Sequence, residues 1–277
     1  MAYSISMERL PSTNENIEKQ FEEELISSFE PKRKRIFKKF FAAALGSIPW
    51  VGGFLNAAMD FKADENQFKA NSLYTQWLQE HSKKMSELGE TLTNVAVRLN
   101  EFPEEIDQRI ESEEYLQIVK KAFRTWNETD TTEKKELVRK LITNAGAYKL
   151  VPDDLIRLFI DWINIYHEVH FAVIKSIFEN SGITRSQIWN LLNGTNVRED
   201  SLEADLFKMI IRDLSMGGVI RQHRITNYQG DFIKKTTKKA SSSIYKSAFD
   251  NQEQYELTEL GKQFVHYTMN EIVDRIS

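Results

Sequence analysis

The segment that most limits what this chain can fold into is FFAAALGSIPWVGGFLNAAM, residues 40–59, twenty positions without a formal charge. It directly follows Lys32-Arg33-Lys34-Arg35-Ile36-Phe37-Lys38-Lys39, which puts six positive charges into eight residues. As one helix, twenty residues would reach about 30 Å, the thickness of a hydrocarbon core. Two features oppose a straight span: Pro49 and the Gly52-Gly53 pair interrupt helix propagation, and alanine and glycine supply much of the apolar character. The expected form is a hairpin, with a helix from about Lys32 to Gly46, a tight turn at Ser47 to Gly53 and a second helix beginning near Phe54. Such a hairpin serves either as protein core or as a surface for an anionic membrane. The basic flank supports the second use, since each Lys or Arg near an anionic leaflet is worth about 1 kcal/mol. The residues that would meet lipid are Lys32, Arg33, Lys34, Arg35, Lys38, Lys39, Phe40, Phe41, Trp50 and Phe54.

From Phe54 to Phe102 the pattern is helical, and its second half steps by 3 and 4 in strict alternation through Leu78, His81, Met85, Leu88, Leu92, Val95, Leu99 and Phe102. That period of 3.5 marks a narrow seam that must meet another helix. The partner helix belongs either to this chain or to a second copy, so Leu78, Met85, Leu88, Leu92, Val95 and Leu99 are the expected oligomer seam. Pro103 ends the helix. The following stretch to residue 165 reads as further helices, with acids early and lysines late as the helix dipole favours.

After Tyr166 the order of elements changes. A helix gives way at Ser181-Gly182 to a short one, capped by Thr184 with Gln187 completing a capping box. A third helix, from about Ser201 to Met216, is expected to turn Leu202, Leu206, Met209, Ile210 and Leu214 inward and to stop at Gly217-Gly218. Then come a strand at Val219 to Thr226, a long polar loop, a strand at Gln254 to Leu257 and a closing helix. This order, with the phrase YELTELGKQF, resembles a winged helix. The outward face of the third helix is close to neutral, whereas phosphate contact demands positive charge. The wing is basic, and Arg221, Arg224, Lys234, Lys235, Lys238 and Lys239 are the residues that would bind nucleic acid or another anion.

The expected fold class is therefore mainly α: an N-terminal helical hairpin and long helix (1–103), a helical connector (104–165) and a winged-helix-like module with a small β-hairpin (166–277). With no cysteine, the chain lacks disulfides, thiolate metal sites and a cysteine nucleophile. No nucleophile elbow, Walker loop or dinucleotide motif is present. His167 and His170 lie three apart on a helix and could bind a metal with a carboxylate such as Glu168 or Asp161, but Glu168 points elsewhere on the helix and no third histidine lies near in sequence, so neither a metal site nor a cofactor is expected. The start of the chain has neither the pattern of a secretory signal nor that of a presequence, which points to the cytoplasm, with a peripheral position at the inner face of the membrane if the hairpin meets lipid.

The IPWVGG turn, the stretch TEKKELVRKLITNA and the ending YELTELGKQF resemble the bacterial abortive-infection proteins of the alpha type. The resemblance implies a role in phage defence and supplies no catalytic residue to carry over. Three functions follow as expectations. The first is a non-enzymatic defence or stress effector with a membrane-capable hairpin and a partner-binding winged helix. The second is a nucleic-acid-binding regulator that uses the basic wing, and the third is a structural helical homo-oligomer.

Overall fold

A computed structural model of the chain describes residues 27, 29–63, 72–194, 197–223, 229 and 247–270. They are mainly helical with one small antiparallel sheet, and they divide into two compact units that part between Asn164 and Ile165.

The first unit begins with α1 (Pro31–Leu45), started by proline in its first turn, where the missing N–H costs nothing. Ile36, Phe37, Phe40, Phe41, Ala44 and Leu45 recur as adjacent pairs every four residues, and all six are buried. That spacing places them on one helical face. The chain bends by 98° into α2 (Pro49–Ala63). Here the expected turn is too long: Pro49 restarts the helix at once, and Gly52 and Gly53 continue it from the exposed side. Ser47 closes the bend by donating its hydroxyl to the Ala44 carbonyl at 2.7 Å.

Helix α3 (Ser72–Asn100) has 29 residues and so extends about 43 Å. A 3-10 turn (Glu104–Ile106) and α4 (Asp107–Glu111) lead into α5 (Glu113–Glu128), α6 (Thr132–Ala147) and α7 (Asp153–Ile165). Ser112 caps α5 and Thr131 caps α6, each accepting from a backbone N–H in the first turn. Helix α5 packs against both α1 and α6, and α3 lies on α6. Of residues 104–165, expected as a connector, those up to Asn164 belong to one compact unit with the N-terminal helices. Two polar contacts, one buried and one part-buried, fix this packing. Tyr115 donates its hydroxyl to the Ile142 carbonyl at 3.0 Å, and burial raises the phenol above its usual range. Arg109 grips Asp153 with two hydrogen bonds of 2.7 and 2.9 Å.

The second unit runs α8 (Glu168–Glu179), β1 (Ile183–Thr184), α9 (Arg185–Leu192), α10 (Leu202–Met216), β2 (Ile220–Gln222), β3 (Gln254–Leu257) and α11 (Glu259–Thr268). Strand β3 lies between the other two and pairs antiparallel with both, Ile183 opposite Tyr255 and Ile220 opposite Leu257. The two-residue β1 was not foreseen, because so short a strand has no alternation to read. Phe171 of α8 stacks on Phe264 of α11 at 6.1 Å, and Trp189 meets Phe207 and Phe249 at 5.4 and 5.1 Å. Helix α10 ends at Gly217-Gly218, with Gly218 at φ 72°, and the Val219 N–H then bonds the Leu214 carbonyl at 2.9 Å. Gly261, the glycine of LTELGKQF, lies so near the strand that a Cβ there would fall 2.2 Å from the Val219 carbonyl oxygen.

Candidate functional site

The residues expected to meet lipid are mostly committed to the protein itself. The Arg33 guanidinium is buried and donates to three carbonyls at the end of α3: Leu99 at 3.2 Å, Asn100 at 2.8 Å and Phe102 at 2.8 Å. The last carbonyls of a helix lack partners within it and carry partial negative charge, so a buried cation fits there. Asp107 completes the arrangement 3.1 Å from Arg33, joined by charge attraction without a well-aligned hydrogen bond. Lys32 pairs with Glu104, while Arg35 and Lys39 both reach Glu111, at 3.5 and 3.1 Å. The hydrogen bond between Lys32 and Glu104 raises the amine and lowers the carboxyl from their ordinary values. Four of the six cations thus face acids of the segment 104–111. Lys34 is half-buried and Lys38 exposed.

The aromatic residues correct the expectation more directly. Phe40 and Phe41 are fully buried, and Phe40 meets Phe123 of α5 edge-on at 6.2 Å. Phe54 is buried as well, and half-buried Trp50 donates its indole N–H to the Asn127 side chain at 2.5 Å. Trp50, Phe54 and Trp77 surround His81, whose ring lies 4.2 Å from Trp77 and 5.1 Å from Trp50. Phe40, Phe41 and Phe54 are thus core side chains, and Trp50 is half-buried against Asn127 and His81. The physical reason is the period of α1, whose apolar pairs match a face of α5 better than they populate one long span. No single described helix is long and apolar enough to cross a membrane; α1 together with the first part of α2 meets that test only as a bent pair.

The heptad seam of α3 is likewise filled within the chain. Met85, Leu88, Leu92, Val95 and Leu99 are buried, and Leu78 is half-buried. Leu99 lies against Gly146 of α6, where a Cβ would come within 3.0 Å of its Cδ2, and Lys135 of α6 pairs with Glu87 of α3 at 2.6 Å. Five of the six residues expected at an oligomer seam are thus covered by the chain itself. Beside it, Asn94, Val97, Arg98 and Glu101 of α3 with its end, and Glu136 and Arg139 of α6, line a shallow open groove. Both arginines in it pair with glutamates three residues away, which leaves no uncompensated charge for a ligand.

In the second unit, Arg221 does not present a free cation either. Its Nε lies 2.7 Å from Glu256, whose other oxygen is 2.7 Å from His223 Nδ1. Burial alone would raise the Glu256 carboxyl, but the hydrogen bonds from His223 and Arg221 win and hold it below its ordinary value. Arg224, Lys234, Lys235, Lys238 and Lys239 lie outside the described residues. Where the chain returns at residue 247 it is anchored: Glu199 accepts from Ser247 and, at 3.0 Å, from the Ala248 N–H. His167 and His170 form a capping box, the His167 N–H donating to His170 Nδ1 at 3.2 Å. Among the described residues no group of three metal-binding side chains occurs.

Among the described residues the outward face of α10 departs from this pattern of internal satisfaction. Helix α10 was expected to turn Leu202, Leu206 and Met209 inward, but the buried face is Ala204, Phe207, Ile210, Ile211 and Leu214. Leu202 is 81% exposed, Leu206 46% and Met216 80%, with Met209 half-buried between them. The reason is the order of apolar residues. Phe207, Ile210, Ile211 and Leu214 form the wider stripe and take the core, which leaves the second stripe outside. Asp205, Lys208, Arg212 and Asp213 accompany it; Lys208 lies 3.7 Å from Asp205, and Arg212 lies 3.5 Å from Asp213. The spacing of Leu202, Leu206, Met209, Asp213 and Met216 is 4, 3, 4, 3, the same period as in α3, so this stripe is legible in the sequence although Asp213 interrupts it.

No known protein family, curated protein or solved structure matches the chain.

Proposed function

We propose that this chain is a non-enzymatic bacterial defence or stress effector that acts by binding a protein through its C-terminal unit, and that this unit is a winged helix. The order helix, strand, helix, helix, strand, strand supports the winged-helix reading, as does a sheet in which the last strand lies between the first two. The sequence resemblance to abortive-infection proteins supports the defence role.

The observation that carries the binding mode is the outward face of α10, where Leu202 and Leu206 stand in solvent beside both acids and bases. A helix that grips phosphates needs a positive face, whereas exposed leucines on a neutral one suit protein contact. The test is protection of a bacterial host against a phage panel by the wild type and by Leu202→Asp/Leu206→Asp. The expected result is loss of protection at unchanged expression and unchanged thermal midpoint. Protection equal to wild type would remove α10 from the function.

A second reading keeps residues 31–58 as a stored membrane hairpin, favoured by one observation: the bent pair together has the length and apolar composition of a span. Flotation of the full chain with phosphatidylglycerol vesicles, accompanied by loss of amide protection in α1, would support release of the hairpin. Absence of flotation would refute it.

A further inference from the structure

We infer that α10 is a self-association surface, and that two copies of this chain meet there as an antiparallel helix pair about a two-fold axis near Met209. The inference rests on the reading of α10 as a protein-binding face and names its occupant.

Two observations select a second copy. The first is the period. An apolar stripe that steps 4, 3, 4, 3 along a 15-residue helix fits the surface of another helix, because a narrow seam of this period stays in register only with a similar seam. The seam of the same period in α3 is buried against its own chain. The second observation is charge. Asp205 and Arg212 flank the stripe on the same side, seven residues apart, and both side chains are exposed. Helices rise by 1.5 Å per residue, so an antiparallel partner that brings Asp205 level with Arg212 of the second copy brings Arg212 level with Asp205 of the second copy too. The same alignment puts the two-fold axis level with the midpoint between Lys208 and Met209, so that Leu202 comes within one residue, about 1.5 Å along the helix, of Met216 of the second copy and the two Met209 side chains lie just either side of the two-fold. In a parallel two-fold pair the two copies of this flank lie on opposite sides of the interface, so Asp205 and Arg212 would find no such partners across it.

Asp213 interrupts the stripe, and a polar residue at a seam position favours one register and orientation over others. With one helix of about four turns on each side, the contact falls at the small end of specific interfaces, so association is expected in the range of tens of micromolar.

Sedimentation equilibrium of the full chain over about 5 to 500 μM tests this. The expected mass rises from 32.4 kDa towards twice that value. Leu202→Asp/Leu206→Asp holds the mass at the monomer throughout. Asp205→Arg alone and Arg212→Asp alone each weaken association about tenfold, because each sets like charges together twice. The double reversal Asp205→Arg/Arg212→Asp restores it. A wild-type mass that stays at the monomer overturns the inference, as does association that ignores the leucine changes. Failure of the double reversal to recover overturns the antiparallel register. If the wild type is monomeric while Leu202→Asp/Leu206→Asp still abolishes phage protection, the occupant is another protein: the inference falls and the binding reading stands.

Discussion

Helices α3 and α10 carry the same signal, an apolar stripe with alternating steps of 3 and 4, and the fold treats them in opposite ways. In α3 the stripe is the core: Leu88, Leu92, Val95 and Leu99 are fully buried and α6 covers them. In α10 a second, broader stripe has taken the inward position, and Leu202, Leu206 and Met216 are left in solvent. A heptad pattern thus reports that a helix wants a partner without saying whether the chain already provides one. What decides is whether the helix has another face that is more apolar. Helix α3 has none, since its remaining faces carry Glu80, Lys83, Lys84, Glu87, Glu90 and Arg98. Helix α10 has one, built on Phe207, Ile210, Ile211 and Leu214.

The sharpest way to break this comparison is to place the same residue in each stripe. Leu92→Asp buries an unpaired carboxylate and is expected to cost about 4 kcal/mol or more, enough to unfold a marginal unit. Leu206→Asp is expected to change stability by less than about 0.5 kcal/mol. Urea unfolding followed by circular dichroism reads both, and equal losses would show that α10 is packed more deeply than described.

The next effect concerns the basic cluster. Arg33→Ala leaves Asp107 buried without its cation and strips three carbonyls at the end of α3 of their donor, at an expected cost of about 3 kcal/mol. Lys38→Ala, in an exposed position of the same cluster, is expected to alter the urea midpoint imperceptibly. A large loss in Lys38→Ala, or none in Arg33→Ala, would contradict the division of this cluster into a buried clamp and an exposed flank.

Smaller, and dependent on pH, is the contact of Arg109 with Asp153. The Arg109 hydrogen bonds hold the Asp153 carboxyl below its ordinary value, against the opposing effect of burial. A carboxyl depressed in the folded state contributes stability that is present above the unfolded value, about 4, and is lost as pH falls through the folded one. Arg109→Gln should therefore lower stability at pH 7 by about 2 kcal/mol and narrow the gap to wild type near pH 3. A gap that stays constant from pH 7 to pH 3 would count against this linkage.

Much of the fold was legible because it rests on local rules. The end of α3 before Pro103, the capping box at Thr184 and Gln187, and the stop of α10 at Gly217-Gly218 follow from residue chemistry within one turn. What sequence could not supply was pairing across the chain. The lysines and arginines from 32 to 39 look like a membrane flank until Glu104, Asp107 and Glu111, some seventy residues later, fold onto them. Pro49 was read as a breaker because its role as a first helical residue depends on where the previous helix stops. The face of α10 was misassigned for a related reason. Two stripes competed for the interior, and their ranking depends on the width each presents to α8 and β2.

The most direct test of the central claim uses the absence of cysteine from the chain. Single replacements Met209→Cys in α10 and Val97→Cys on the solvent side of α3 are oxidised with copper phenanthroline at about 100 μM protein, within the range where association is expected. The account predicts a covalent dimer of twice the chain mass from Met209→Cys and monomer from Val97→Cys. Equal cross-linking of the two, or cross-linking confined to Val97→Cys, would contradict it.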